Sequence, residues 1–377
     1  MLHLALIRDF RAEGWPSMDL CADQLLAHLP AGVVAEDVAP DFRRVFGRFP
    51  LARSLGFNAD RLFNRHVFLP KVVRRVASRH DFVHIVDHSY AHLVNAAPPG
   101  RAGVYCHDLD AFRSILEPET EPRPWWFRRL ARRTLDGLKR AAVVFHSTDQ
   151  VREQILRHGL IESERLVHAP YGVAAEFTPV PAASVELPAS VGGPFVLHVG
   201  SNIARKRLDV LLDVFASVRR LTPELRLVQV GGPWPPHLVE RIDRLGIGPA
   251  VTQLRGLTRH QLAELYRRAA VVLLPSEAEG FGLPVIEALA CGAAVVASDL
   301  PVLREVGGAA VDYCAVGAVP AWTEAIIRVL GEPASASQRN DRLERAARYS
   351  WHEHARIIGD TYHRLAAGLP PKCESSS

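Results

Sequence analysis

The sequence predicts an α/β protein made of two tandem doubly wound parallel sheets, and three observations carry that prediction. Short apolar runs recur along the whole chain, with amphipathic stretches between them. These runs are continuous rather than alternating, the pattern of parallel strands covered by helices on both faces. At 377 residues the chain is too long for one core, and a proline-bearing interval of low periodicity at 178–194 divides it. The expected domains are 1–180 and 181–350, with a third, short segment at 351–377 that ends in a frayed tail.

Element by element, residues 3–7 read as a buried strand. Met18, Cys21, Leu25 and Leu29 then recur at helical spacing, as one face of a helix. Residues 82–86, 103–106 and 142–145 are further strands. After the linker the alternation restarts with a strand at 195–199 and a helix face of Leu208, Leu211, Leu212, Phe215 and Val218. A strand at 225–230, a helix at 259–268 and a strand at 271–274 follow. A helix at 284–290 has Pro284 in its first turn, where the missing N–H costs nothing, and a strand at 294–297 comes after it. Two such units in tandem place the site in the cleft between them, at the carboxyl ends of the strands.

Composition excludes several classes. With 48% hydrophobic and 23% charged residues the chain is neither disordered nor fibrous. A formal charge of +4 is too mild for a nucleic-acid binder. Apolar runs such as 269–275 fall far short of the ~20 residues that span a bilayer. The start, MLHLALI, lacks the basic region and cleavage site of a signal peptide. Cys21, Cys106, Cys291, Cys314 and Cys373 are odd in number and never spaced as C-x-x-C, so a disulfide framework or thiolate zinc site is not expected and a reducing cytoplasm is. The charge is uneven. Residues 42–79 hold ten Lys/Arg against one Asp, and 122–140 hold seven against one.

The most informative stretch is PSEAEGFGLPVIE, residues 275–287. A strand ends, a glycine-bearing loop follows and a helix opens near Pro284. The N–H groups of Phe281, Gly282 and Leu283 then point out of a helix N-terminus, a natural seat for phosphate, and Gly280 and Gly282 let the backbone approach an anion. Glu279 and Glu287 flank that seat and suit sugar hydroxyls. A bare pair of glutamates at this spacing would more often be solvated helix-end partners. A second anion signal, GSNIARKR at 200–207, follows the strand 195–199. Arg205 and Lys206 open a helix there against its dipole and call for a compensating anion such as a diphosphate.

In the first half, His107 and Asp108 follow a strand and can polarise a hydroxyl or hold a phosphate, although a lone histidine there is as often structural. His84, Asp87, His88 and Tyr90 form a similar cluster. Its spacing is weak support for zinc, and hydrogen bonding to an acceptor by His88, Tyr90 and Asp108 is the favoured reading. PWWFRRLARR, 124–133, joins aromatics to arginines. It reads equally as a contact with an anionic membrane or as a helix with its aromatics in the core.

Together these residues resemble the family-4 retaining glycosyltransferases (glycosyl transferases group 1) of GT-B architecture, two Rossmann-like domains facing across a cleft. The carriers are EGFGLPVIEALACGAAVVASDLPVLREV at 279–306, VGSNIARKRLDVLLDVF at 199–215, LRGLTRHQLAELYRRAAVVLLPS at 254–276 and YSWHEHARIIGDTY at 349–362. The first half matches mainly through HDL at 107–109 and FHSTDQVREQI at 145–155. The resemblance implies that Glu279 binds the donor hexose and Glu287 the ribose. The backbone of Gly280, Phe281, Gly282 and Leu283 would take the distal phosphate, while Lys206 and Arg205, after Gly200 and Ser201, hold the diphosphate. Leu257 would read the nucleotide base through its backbone, and His107 would lie near the donor sugar, with Glu279 and His107 as the expected catalytic residues. The helix after Trp351 would cross back to the first domain. Three departures stand out. Ser201 replaces a common arginine, Tyr171 replaces the asparagine of an I-P-N-G-V turn, and RDFRAEGWP at 8–16 replaces a glycine-rich acceptor loop.

The expectation is therefore an enzyme moving a hexose, mannose among the candidates, from a GDP- or UDP-sugar to a saccharide or lipid-linked saccharide. No metal or other cofactor is expected, since two cations, Lys206 and Arg205, can replace a divalent ion. Peripheral contact with the inner face of the cytoplasmic membrane is a further expectation. The alternatives are a non-hydrolysing nucleotide-sugar epimerase and a non-catalytic sugar-nucleotide binder.

Overall fold

The structure is a computed structural model that describes residues 1–47, 53–181, 185–332 and 335–371. The tail expected to fray, 372–377 with Cys373, lies outside the described residues, as do parts of the linker and of the first basic run. The chain forms two compact units, Met1–Gly172 with Trp351–Ser377, and Val173–Ser350.

The first unit holds a six-stranded sheet: β1 (Leu2–Ile7), β2 (Val33–Val38), β3 (Phe82–Ile85), β4 (Ala102–Cys106), β5 (Val143–His146) and β6 (Leu166–His168). Their order is β2-β1-β3-β4-β5-β6, and every pairing is parallel. The second unit repeats the plan with β7 (Phe195–Val199), β8 (Arg226–Val230), β9 (Val251–Leu254), β10 (Val271–Leu274), β11 (Val295–Ser298) and β12 (Asp312–Cys314), ordered β12-β11-β10-β7-β8-β9 and again all parallel. Runs such as VVLL and VVAS are buried along their whole length, as strands covered on both faces must be.

In each sheet the chain first winds to one side of its opening strand and then returns to build the other side. The order therefore reverses between β1 and β3, and between β7 and β10. Loops leaving the carboxyl ends of strands that part in this way open a crevice, and ligands bind there in open α/β sheets.

Packing fixes what lies around each crevice. In the first unit the helix Trp125–Arg140 buries Leu135 and Leu138, each worth about 1.5–3 kcal/mol. A Cβ on its Gly137 would lie 2.1 Å from the Ala91 carbonyl oxygen, so glycine lets this helix seat the segment His88–Ala96 that follows β3. The helix Trp351–Ala366 belongs to this unit, where its Tyr362 hydroxyl shares a 2.9 Å hydrogen bond with His84 Nδ1. The first helix, Pro16–Ala27, ends before Leu29 but buries Cys21 and Leu25 as the spacing requires. Among the described residues no helix is long and apolar enough to cross a membrane.

Candidate functional site

In the second unit the crevice between β7 and β10 gathers the two loops that the sequence singled out. The loop after β7 passes half-buried Gly200 and exposed Ser201, makes a 3-10 turn at Ala204–Lys206 and enters the helix Leu208–Leu221. Arg207 makes that entry at φ 47°, the one left-handed non-glycine among the described residues, a conformation costing about 1–2 kcal/mol. Its guanidinium bonds offset the cost, with Nη2 2.9 Å from Asp209 Oδ2 and Nη1 3.3 Å from Glu277 Oε2. The Glu277 N–H donates to the Arg205 carbonyl at 2.8 Å, which fastens the two loops together.

This turn aims both cations at one carboxylate. Lys206 Nζ lies 2.6 Å from Glu279 Oε1, and Arg205 Nη1 lies 3.4 Å from Oε2. The Ser276 hydroxyl donates to Oε1 at 2.6 Å. The side chains of Glu279 and Lys206 are 5% and 12% exposed. Burial opposes ionisation of Glu279, but the charges of Lys206 and Arg205 prevail and hold its carboxyl below the usual range. Two cations thus converge on one buried carboxylate beside a helix N-terminus.

That helix is Leu283–Ala290, with Pro284 in its first turn. Gly282 precedes it at φ 92°, and a Cβ there would come 2.7 Å from Leu303 Cδ2, so both backbone and space require glycine. Gly280 and Leu283 are half-buried, and Phe281 is buried with its ring edge-on to Tyr349. Glu287, one turn in, is buried and accepts a 2.9 Å bond from the Tyr266 hydroxyl. Burial pushes its carboxyl up to about 7, so a group expected to be ionised is half-protonated near neutrality. Leu257 is half-buried after left-handed Gly256, just before the Thr258–Gln261 capping box.

The crevice of the first unit, between β1 and β3, has a different chemistry. β4 delivers His107 and Asp108 beside it. His107 is buried with Nε2 2.8 Å from the Val86 carbonyl and Nδ1 bonded to the Tyr171 hydroxyl. Burial lowers its pKa to about 4, so the ring is neutral. His88 spans two carboxylates, with Nε2 3.3 Å from Asp108 Oδ1 and Nδ1 3.3 Å from Asp87 Oδ1. Burial opposes its protonation, yet Asp108 and Asp87 raise its pKa. Asp87, His88 and His107 come close enough to surround a cation, but the ring nitrogens are already engaged, because the His107 N–H also donates to His88 Nδ1 at 3.3 Å. The set does not suit a metal.

Tyr90 is not with His88. Its hydroxyl donates to Glu13 Oε1 at 2.8 Å, within a cluster of Arg65, Glu13 and Asp9. His84, on the strand itself, turns toward Tyr362 and leaves the post-strand group. The aromatic run 125–127 is on the surface rather than in the core, with Trp125 74% and Trp126 48% exposed, while Ala131, Thr134, Leu135 and Leu138 face inward. Arg61 and Arg65 of the first basic run pair with Glu13, so that run is not a bare cationic face.

Sequence reasoning missed Tyr266 and Ser276, which complete the second-unit site, because nothing in a sequence shows which hydroxyl meets which carboxylate. It flagged Tyr171 only as a departure, and that phenol proves to hold His107.

Residues 181–349 match the family described as glycosyl transferases group 1. D-inositol 3-phosphate glycosyltransferase of Mycolicibacterium smegmatis is 39% identical over 168 residues, covering 41% of this chain and 37% of that protein. The enzyme of the same name from Segniliparus rotundus is 35% identical over 198 residues, covering 50% and 43%. The match thus spans about two fifths of these relatives' length. Among solved structures, sucrose-phosphate synthase from Thermosynechococcus elongatus superposes with a TM-score of 0.73 at 22% identity, over 98% of this chain and 100% of that one. Anabaena HepE in complex with UDP and glucose gives 0.70 at 16% identity, over 96% and 99%. Both likenesses concern the fold.

Proposed function

We propose that the protein, whose residues 181–349 match the glycosyl transferases group 1 family, moves a hexose from a UDP- or GDP-sugar to a saccharide or lipid-linked saccharide, with retention at the anomeric carbon. The observation that carries the reading is the convergence of Lys206 and Arg205 on Glu279 beside the helix opening at Leu283.

Glu279 neutralises cations that the dipole of the neighbouring helix would otherwise repel. A diphosphate replaces it. Its oxygens take Lys206 as a point charge, Arg205 as a fork and the backbone of Gly280, Phe281, Gly282 and Leu283 as donors. Glu279, released from the cations, accepts hydrogen bonds from the sugar hydroxyls. Glu287 accepts from the ribose, and Gly200, Ser201 and Leu257 border the nucleotide. Negative charge grows on the leaving diphosphate as the glycosidic bond breaks, and donors fixed in advance stabilise it without reorganising. Two side-chain cations supply what a divalent ion would, so no metal is needed. In the first unit His88, Asp108 and Tyr90 serve the acceptor. His107, a neutral ring fixed between Val86 and Tyr171, keeps that loop in shape. The exposed Trp125 and Trp126 beside arginines support a peripheral contact with an anionic membrane on the cytoplasmic side.

Thermal melting with UDP, GDP and their hexose conjugates tests the reading. One nucleotide at a hundred times its dissociation constant adds about 2.7 kcal/mol to the native state. The expected result is a rise in Tm with one of the two and none in Lys206→Ala; no shift with either defeats the proposal.

A further inference from the structure

The loop that replaces a glycine-rich turn after β1 brings Asp9 to the reversal point of the first sheet, where the loop after β3 brings Asp87. Asp9 is 7% exposed, and neither of its carboxylate oxygens has a hydrogen-bond partner among the described residues. The Asp87 carboxyl beside it bonds Asp9 only by sharing a proton. Asp87 is itself satisfied, by the Ser89 N–H at 2.7 Å and the Ser89 hydroxyl at 2.6 Å. A buried carboxylate without a donor costs free energy that a native site recovers only when something donates to it.

Among the described residues, the cations beside Asp9 and Asp87 are held by other carboxylates. Arg65 is held bidentately by Glu13, which also takes Arg61 at 3.4 Å. Arg8, the neighbour of Asp9, pairs with Asp23 and Asp37, both at 2.6 Å. His88 lies between Asp87 and Asp108. Arg65, Arg8 and His88 thus each pair with a carboxylate other than Asp9, although the Arg65 charge reaches it.

We propose that the crevice between β1 and β3 is the acceptor subsite, and that Asp9 selects an acceptor without negative charge, one that offers a hydroxyl pair or an ammonium. This rests on the glycosyl-transfer reading and adds a substrate class to it. A phosphorylated acceptor, of the kind for which the Mycolicibacterium relative is named, would have to take Arg65 from Glu13 while facing Asp9 and Asp87. A hydroxyl pair or an ammonium donates to both orphaned oxygens at once. Burial and the Asp87 charge push the Asp9 carboxyl well above its usual range, which suits a site that waits protonated and releases that proton to solvent when a hydroxyl pair or an ammonium donates to it instead.

The full-length protein decides the matter with matched ligands: glucosamine against glucosamine 6-phosphate, and inositol against inositol 3-phosphate. Transfer is assayed with the nucleotide-sugar that binds in melting, and binding of the same four compounds is followed calorimetrically without donor. The unphosphorylated member of a pair should be favoured at least tenfold. Asp9→Asn should raise the acceptor KM at least tenfold and leave the nucleotide dissociation constant unchanged, which also reports that the variant folds. A preference for the phosphorylated member overturns the proposal. So does an acceptor KM indifferent to Asp9→Asn, or a panel that is silent in a protein that binds nucleotide. A chain that binds no nucleotide defeats the glycosyl-transfer reading instead. The donor-free arm then still decides the subsite: glucosamine binding lost in Asp9→Asn upholds it, and no binding to the wild type sinks it.

Discussion

The two units reverse strand order at corresponding places, after β1 and after β7, and the loops delivered there carry different groups. After β7 and β10, Lys206 and Arg205 converge on one buried carboxylate, Glu279. After β1 and β3, Arg65 and His88 are already taken by Glu13, Asp87 and Asp108, and Asp9 remains over. The sheets fix where a ligand sits. The few residues past each strand end fix its charge, so a duplicated architecture can bind a diphosphate in one half and a hydrogen-bond-donating acceptor in the other.

The sharpest way to break this contrast is to remove Lys206. Lys206→Ala should lower kcat/KM by about 10²–10³-fold, the usual loss when one donor to a developing negative charge is deleted. On the proposal that side-chain cations take the place of a metal, the reaction should also run unchanged in chelator. Steady-state rates with and without EDTA check both. A modest loss in Lys206→Ala, or full dependence on added divalent ion, removes the reason for calling the second crevice a diphosphate site.

A somewhat smaller effect separates the two buried carboxylates of the second unit. Glu279 is held ionised by cations, whereas at Glu287 burial outweighs the Tyr266 phenol and the Arg259 charge and raises its carboxyl from 4.5 to about 7. A carboxyl with a raised pKa binds more protons folded than unfolded, so stability falls as pH rises from 4.5 to about 7 and is level above that. The loss amounts to about 3 kcal/mol at most, at 1.36 kcal/mol per pK unit. Glu287→Gln keeps an acceptor for the Tyr266 hydroxyl and cannot ionise, so it should flatten that part of the profile. Urea unfolding of both proteins at pH 5 and pH 8 measures it; parallel profiles would show that Glu287 is ionised throughout.

The central architecture was legible because buried parallel strands are continuous apolar runs. The eight strands read from such runs are the eight interior ones, and the four that were missed, β2, β6, β9 and β12, are the four sheet edges. An edge strand is covered less completely, so VVAEDV and DYC mix polar with apolar residues and give no clean period. The second-unit site was legible in its loops, because glycine beside a helix start and cations at another helix start have few other physical explanations. The first-unit site was legible only in part. His84 and His88 are four apart, but a strand end intervenes: one ring turns to Tyr362 and the other to Asp108. Asp9 looked like an ordinary loop residue, since its want of a donor is a property of what the fold places around it.

The smallest expected effect concerns the outside of the same two units. The first unit presents Trp125 and Trp126 to solvent at the start of the helix Trp125–Arg140, with Arg129, Arg132 and Arg133 also exposed, and the second half of the sequence holds no comparable basic run. The inward face of this helix is filled by Ala131, Thr134, Leu135 and Leu138, so the tryptophans contribute nothing to the core. Tryptophan in water loses the favourable burial of a large ring, and at a bilayer interface it recovers that burial while keeping its N–H wet. Each nearby arginine adds about 1 kcal/mol on an anionic leaflet, and the gain fades beyond a Debye length. Flotation with liposomes should therefore show weak binding that needs anionic lipid and falls with salt. Arg129→Glu with Arg132→Glu should flatten the salt dependence, whereas Trp125→Ala should weaken binding at every salt concentration alike. Binding indifferent to lipid charge would leave a basic surface without a membrane role, and a lipid-linked acceptor would then lose its support in the structure.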